Sequence, residues 1–120
     1  MAARILIVED SPLVTDAFSI LFSESGYDVD VAGTVAQAVE VATTRRPDLI
    51  LLDISLPDGD GLEVIEQLRR QNSLPKATLA MTGHGDSRSR QKCLDAGCAE
   101  VLLKPVPIGE LLRRIEYHLA

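Results

Sequence analysis

The feature that most constrains the fold of this chain is a regular alternation of short apolar runs with longer amphipathic segments. The apolar runs are rich in β-branched residues, which is typical of β-strands, and they occupy positions 4–8, 28–31, 48–52, 76–81 and 100–103. Positions 5–8 and 49–52 are apolar at every residue, as in strands buried on both faces of a parallel sheet. The pattern predicts an α/β fold in which five strands alternate with five helices.

Residues that favour helix ends separate these strands from the predicted helices. They are Ser11–Pro12 and Thr34 at the starts of the first two helices, Asp60 and Asp86 or Ser87 at the starts of the third and fourth, and Gly97 at the end of the fourth. The fifth helix is predicted over about 108–119. The 120 residues are 46% hydrophobic, which is enough for one core. With no repeat or linker in the pattern, we predict that residues 1–120 form a single domain.

Composition limits where this chain works and what it binds. No apolar run is long enough to span a bilayer, and no cleavage-site pattern follows the first residues. We therefore expect a cytoplasmic protein without membrane contact. Cys93 and Cys98 match no C-x-x-C or zinc spacing, so free, packed thiols are expected. A formal net charge of -6 and 3% aromatic residues argue against binding to nucleic acid.

Polar residues stand at the carboxyl ends of four predicted strands. Glu9 and Asp10 follow the first strand, Asp53 the third, Thr82 the fourth and Lys104 the fifth. Taken singly, each is compatible with an ordinary exposed strand end. In an open parallel sheet, however, ligands bind at the carboxyl ends of the strands. We expect these side chains to converge into one site.

The acidic members of this set indicate a magnesium site. Carboxylates without a neighbouring His or Cys suit a hard cation, and Mg²⁺ usually takes one or two of them together with water and phosphate. We predict that Glu9, Asp10 and Asp53 bind Mg²⁺, with a backbone carbonyl near Ser55 as a further ligand.

The remaining members indicate phosphoryl chemistry. A carboxylate can attack phosphorus to give an aspartyl phosphate if the charge on the transferring group is neutralised. Asp53 is the best candidate for this acceptor. Lys104 is predicted to face the phosphoryl oxygens as a point charge, and Thr82 to donate its hydroxyl to the new phosphate.

Together, these motifs resemble the signature of the response-regulator receiver domains of two-component signalling. The residues that carry the resemblance cover nearly the whole chain and are Glu9-Asp10, the run from Asp53 through Pro57 to Gly61, Thr82-Gly83 and Lys104-Pro105. Each motif alone is weak, but the four in this order form a strong signal. The resemblance implies a flavodoxin-like (βα)5 doubly wound sheet with strand order 2-1-3-4-5, and a cis Lys104–Pro105 bond.

The resemblance also implies a function and partners. Asp53 would receive its phosphoryl group, with Mg²⁺, from a sensor histidine kinase or a histidine phosphotransfer protein. The chain would then be a switch that catalyses its own phosphorylation and dephosphorylation rather than an enzyme. A downstream effector protein, or a second copy on activation, would bind the surface formed by the fourth helix, fifth strand and fifth helix. By default the charged residues there form solvated faces.

One position departs from the family pattern. Family members often carry Tyr or Phe three residues before the Lys, and this chain has Val101 there. An aromatic ring therefore cannot report the state of Asp53. We hypothesise that Thr82 and the segment 83–86 carry the signal to the fourth helix.

Three other functions compete with this interpretation. In a flavodoxin, Glu9 and Asp10 would repel the cofactor phosphate, and a metal-dependent phosphohydrolase needs an acid where this chain has Ser55. The stronger rival is a receiver-like interaction module that works without phosphorylation. The sequence leaves open whether the domain is free-standing or part of a larger kinase or regulator.

Overall fold

The computed structural model describes residues 2–120. Its central sheet is parallel and contains, in chain order, the strands β1 (Arg4–Val8), β2 (Asp28–Ala32), β3 (Leu49–Asp53), β6 (Ala77–Thr82) and β7 (Glu100–Leu103). Within the sheet the strand order is β2-β1-β3-β6-β7. The order corresponds to 2-1-3-4-5 when only the sheet's own strands are counted. The predicted fold class and strand order are therefore confirmed.

Helices cover both faces of the sheet. They are α1 (Pro12–Glu24), α2 (Val35–Arg45), α3 (Leu62–Arg70), α4 (Ser87–Ala96) and α5 (Ile108–Leu119). One hydrophobic core lies between the sheet and α2, α3 and α4, and the other between the sheet and α1 and α5. In β1, Leu6 and Val8 enter the first core while Ile5 and Ile7 enter the second. All four are 0% exposed, and each such burial stabilises the fold by about 1.5–3 kcal/mol.

Most of the predicted helix ends are confirmed. The Thr34 hydroxyl accepts a hydrogen bond from Gln37 N at 3.1 Å, and α4 begins after Asp86 and ends at Gly97 with φ 117°. Two details differ. Ser11 precedes α1 without a side-chain cap, and Gly61 rather than Asp60 directly precedes α3. Asp60 still accepts a hydrogen bond from the first amide of that helix.

A small antiparallel hairpin after β3 was not predicted. It consists of β4 (Ser55–Leu56) and β5 (Gly59–Asp60), with Ser55 opposite Asp60. Strands of two residues are too short to show a periodic pattern. Gly61 closes the hairpin by donating to the Ile54 carbonyl at 2.7 Å. A Cβ there would overlap the Asp53 carbonyl oxygen, so only glycine fits.

Within residues 2–120, no helix combines the length and hydrophobicity that a membrane crossing requires. Cys93 and Cys98 are both buried and free, as expected from their spacing.

Candidate functional site

The sheet register brings the carboxyl ends of four strands together. Val8 of β1 pairs with Leu52 of β3, and Asp53 at the end of β3 pairs with Met81 of β6. Thr82, which ends β6, pairs with Leu103 of β7. Glu9 directly follows β1 and Lys104 directly follows β7. The Lys104 side chain contacts both Glu9 and Asp53, the residue that ends β3. Continuous apolar strands thus position the polar side chains where the sheet ends.

Asp53, Glu9 and Lys104 form the centre of the site. Lys104 Nζ lies 3.0 Å from Asp53 Oδ2 and 3.6 Å from Glu9 Oε1. The two carboxylate side chains are each only 5% exposed, whereas that of Lys104 is 35% exposed. One ammonium group therefore faces two buried carboxyl groups. A buried carboxylate is costly unless it is paired or binds a cation. The carboxyl groups of Glu9 and Asp53 together therefore favour the binding of a second positive charge.

The two carboxyl groups have opposite acidities. Burial is the main cause that raises the pKa of Glu9 to about 7, and the hydrogen bond and charge of Asp53 add to it. Burial also acts to raise the pKa of Asp53, but hydrogen bonds from Glu9, Lys104 and the Ser55 amide overcome it and lower that pKa. Without a metal, the pair therefore holds a shared proton mainly on Glu9 near neutral pH, while Asp53 is ionised.

The acidic group fits a hard cation. Glu9, Asp10 and Asp53 each offer a carboxylate oxygen, and these three oxygens lie within 4.8 Å of one another. Asp10 is exposed, whereas Glu9 and Asp53 are buried. An all-carboxylate donor set suits Mg²⁺ better than a softer transition metal. The residues present therefore fit the metal that the sequence predicted.

Ser55 and Thr82 flank this centre. The Ser55 amide donates a hydrogen bond to Asp53 Oδ1 at 3.1 Å, which brings the backbone of Ser55 beside the Asp53 carboxylate. Thr82 is 7% exposed, and its Oγ1 accepts a hydrogen bond from His84 N at 3.0 Å. This bond leaves the hydroxyl hydrogen of Thr82 free to donate elsewhere.

Two contacts are not predicted by the sequence. Lys104, which is predicted to face the phosphoryl oxygens, also pairs with Glu9, which follows a strand far away in the sequence. The Asp58 carboxylate binds the first two amides of α2 at 2.7 and 3.2 Å. An acid that caps a helix 23 residues away leaves no spacing signal in the sequence. The Lys104–Pro105 bond is cis, as the resemblance implied.

Comparison with known proteins gives matches over nearly the whole chain. The family model described as the response regulator receiver domain matches residues 5–116. The KDP operon transcriptional regulatory protein KdpE of Escherichia coli is 36% identical over 97% of this chain and 51% of its own length. Response regulator MprA of Mycobacterium ulcerans is 38% identical over 96% of this chain and 49% of its own length. The chain thus spans about half the length of these curated relatives.

Solved structures agree with these matches. A CheY-like receiver domain from Methanospirillum hungatei has a TM-score of 0.91 and 28% identity, over 99% of this chain and 94% of its own. The receiver domain of a sensor histidine kinase from Pseudomonas aeruginosa has a TM-score of 0.88 and 31% identity, over 99% of this chain and 98% of its own. That structure is described with a magnesium ion coordinated in its active site cleft. This chain belongs to the response regulator receiver domain family of two-component signalling.

Proposed function

We propose that residues 1–120 act as one receiver domain that accepts a phosphoryl group on Asp53 from a phosphohistidine of a sensor histidine kinase or phosphotransfer protein. One observation carries this proposal. The buried Asp53 carboxylate lies 3.0 Å from Lys104 and within 4.8 Å of two further acids. Among the acids of this cluster, Asp53 is the buried one whose pKa is lowered, so it is ionised and ready to act as a nucleophile.

The proposed transfer is a displacement at phosphorus. An oxygen of the Asp53 carboxylate forms the new P–O bond while the P–N bond to the donor imidazole breaks, and the imidazole leaves with the bonding electron pair. When bound, Mg²⁺ neutralises charge on the phosphoryl oxygens. Deactivation is a separate hydrolysis: the oxygen of a water molecule bonds to phosphorus while the P–O bond to Asp53 breaks, which releases inorganic phosphate and regenerates the carboxylate.

Each neighbouring residue has a proposed part. Glu9, Asp10 and Asp53 hold the metal with the backbone carbonyl of Ser55, since all their oxygens are the hard donors that Mg²⁺ prefers. Lys104 is already 3.0 Å from Asp53 and pairs with the phosphoryl oxygens once they are attached. Thr82, whose oxygen accepts from His84 N, donates its hydroxyl hydrogen to the phosphate.

Output is proposed to occur through protein contact. The elements α4, β7 and α5 carry four exposed large apolar side chains, which are Leu94, Leu103, Ile108 and Tyr117. The Arg114 guanidinium lies 4.7 Å from the centre of the Tyr117 ring, and a mixture of aromatic, apolar and Arg side chains is typical of protein interfaces. A downstream effector, or a second copy of the activated chain, is the proposed occupant.

Acetyl phosphate can replace the protein donor in a direct test. The protein is incubated with it in the presence and absence of Mg²⁺, and the intact mass is followed over time. We expect one added phosphoryl mass that requires both Mg²⁺ and Asp53. Asp53→Asn should abolish the adduct, whereas the matched control Asp95→Asn, on the exposed surface of α4, should retain it.

Two results would contradict the proposal. No adduct at any sampling time, with Mg²⁺ binding intact, would replace the proposal by the rival interaction module that works without phosphorylation. An adduct that survives in Asp53→Asn would move the acceptor to another residue.

A further inference from the structure

The loop that follows Asp53 is attached to the rest of the molecule at several points, among them the hydrogen bond from Ile54 N to Met81 O at 3.2 Å and the ion pair of Asp60 with Lys92 at 3.5 Å. After Asp53 the chain forms the β4–β5 hairpin over residues 55–60. The hairpin is closed at its base by the Gly61 N to Ile54 O bond and by the Ser55 N to Asp53 Oδ1 bond. These bonds are local, so they shape the loop without placing it relative to the other strands.

Asp58, at the tip of the hairpin, supplies a long-range attachment. Its Oδ1 accepts from Val35 N at 2.7 Å and its Oδ2 accepts from Ala36 N at 3.2 Å. The carboxylate thus binds the first turn of α2 with both oxygens. These two amides are the main cause that lowers the pKa of Asp58, so the group is ionised at neutral pH. Charge-assisted bonds of this kind are stronger than neutral ones.

The attachment completes the capping of α2. A helix leaves its first four amides without partners inside the helix. In α2, the Val35 and Ala36 amides bind Asp58 and the Gln37 amide binds the Thr34 hydroxyl, while the Ala38 amide makes the first regular helical bond, to the Thr34 carbonyl. Thr34 alone would cap the helix end in the usual way. Asp58 therefore does something that local capping does not require, because it joins a distant loop to this helix.

The same junction between β2 and α2 also contacts the other ligand loop. The Glu9 amide donates to the Ala32 carbonyl at 3.0 Å. A Cβ on Gly33 would lie 3.8 Å from the Glu9 carbonyl and 3.9 Å from Asp10 Cα, so this backbone packs directly on the acidic pair. Residues 32–36 thus contact both the loop of Glu9 and Asp10 and the tip of the hairpin that follows Asp53.

We propose that Asp58 is a positioning residue for the metal site, because its bonds to α2 hold the hairpin that begins at Ser55 against the same junction that packs on Glu9 and Asp10. The β2–α2 junction contributes no ligand itself. This inference rests on the proposed magnesium site. It implies that removing the bonds of Asp58 to α2 reduces the free energy of Mg²⁺ binding more than it reduces the free energy of unfolding. Partners that orient metal ligands in this way typically matter by about tenfold or more in affinity.

Three variants separate this role from ordinary helix capping. Asp58→Ala removes the attachment, and Asp58→Asn keeps one oxygen acceptor without the charge. Thr34→Ala is the matched control, since it removes a cap from the same end of α2 but leaves the attachment to the loop. Each variant is titrated with MgCl₂ while two-dimensional amide NMR spectra report binding, and its melting temperature is measured without metal.

We expect Asp58→Ala to raise the dissociation constant for Mg²⁺ by about tenfold. The dissociation constant of Asp58→Asn should lie closer to that of the wild type. Thr34→Ala should lower the melting temperature at least as much as Asp58→Ala while its Mg²⁺ affinity stays within about twofold of wild type. An unchanged affinity in Asp58→Ala, or an equal loss in Thr34→Ala or Asp58→Asn, would overturn the positioning role. Absence of Mg²⁺-dependent shifts in the wild type would instead refute the proposed metal site itself.

Discussion

At the scale of single residues, the site depends on two buried carboxyl groups that compete for one ammonium group. Lys104 lies closer to Asp53, at 3.0 Å, than to Glu9, at 3.6 Å. This difference matches the opposite acidities of the two carboxyl groups, since Asp53 is held ionised and Glu9 retains its proton to about pH 7. Below about pH 7, a metal ion that binds here must therefore displace a proton from Glu9.

Magnesium affinity should consequently depend on pH around neutrality. Because the pKa of Glu9 is raised to about 7, the carboxylate is available above that pH and is protonated below it. We expect the Mg²⁺ affinity of the wild type to fall by up to about tenfold for each pH unit below about 7. Calorimetric titration between about pH 5.5 and about pH 8.5 measures this slope. In Glu9→Gln the affinity should be lower and nearly independent of pH, and an equal slope in this variant would contradict the assignment.

At the scale of elements, the loop after β3 is the part of the site with the tightest steric requirement. Gly61 packs so closely on the Asp53 backbone that a Cβ would overlap the Asp53 carbonyl oxygen. Its neighbours there are backbone atoms, which cannot rotate away as a flexible side chain does. The loop therefore depends on glycine at this position for its shape.

Gly61→Ala should damage both the fold and the site. Relieving the overlap requires a shift of the backbone that carries Asp53, and forced overpacking of this kind costs about 1–3 kcal/mol. Urea denaturation measures the loss in the free energy of unfolding, and the phosphorylation rate with acetyl phosphate measures the displacement of Asp53. Gly83→Ala is the control, because no atom lies within 4 Å of a Cβ built there. Wild-type stability and rate in Gly61→Ala would show that the loop adapts.

The route from the site to α4 also belongs to this scale. Thr82 Oγ1 accepts from His84 N, and the same segment ends at Asp86, which caps α4 by accepting from Ser89 N at 3.1 Å. Val101, at the position where the family often has an aromatic residue, is 7% exposed and offers no ring to rotate. Movement of Thr82 would therefore act on α4 through its own loop.

Phosphorylation should therefore perturb residues 83–86 and the first turn of α4. Amide NMR spectra recorded before and after treatment with acetyl phosphate and Mg²⁺ report this directly. Thr82→Ala is the control, since it removes the side chain that is proposed to move while Asp53 remains. Shift changes confined to the phosphorylation pocket in the wild type would contradict the route.

How far the sequence predicts these elements depends on the range of the interactions involved. The strands and most helix ends could be predicted, because apolar periodicity and caps such as Thr34 act over a few residues. The four strand-end positions of the site followed from the parallel sheet. The two-residue strands of the β4–β5 hairpin and the bond from Asp58 to α2 could not be predicted, since short strands lack periodicity and long-range caps depend on tertiary packing.

At the scale of the whole molecule, a rigid core supports a site that destabilises the metal-free fold. The two cores are built from strands whose central residues are fully buried, as in Leu51 and Leu52 at 0% exposure. The acids at the strand ends gain no comparable burial energy. Proteins commonly give up stability at functional sites in this way.

The stability of the metal-free protein should show this cost as a function of pH. A carboxyl group whose pKa is higher in the folded than in the unfolded state loses stabilising free energy as pH rises between the two values. For Glu9 this window runs from 4.5 to about 7. Glu9→Gln should therefore gain stability relative to wild type across this window, by at most about 3 kcal/mol.

Urea denaturation of both proteins at a series of pH values, without metal, measures this difference. Above about pH 7, the wild type is expected to have a lower free energy of unfolding than Glu9→Gln. Saturating Mg²⁺ should remove most of this difference, because it binds the folded state alone. A constant difference between Glu9→Gln and wild type over the whole range would show that Glu9 titrates normally.

The central claim is that Asp53 accepts the phosphoryl group, and chemical trapping at that residue tests it most directly. The protein is treated with acetyl phosphate and Mg²⁺, reduced with borohydride, which converts an aspartyl phosphate to homoserine, and digested for peptide mass mapping. We expect homoserine at position 53 and at no other aspartate, and none when Mg²⁺ is omitted. Homoserine at another position, or a fully unmodified Asp53 in protein that binds Mg²⁺, would contradict the account.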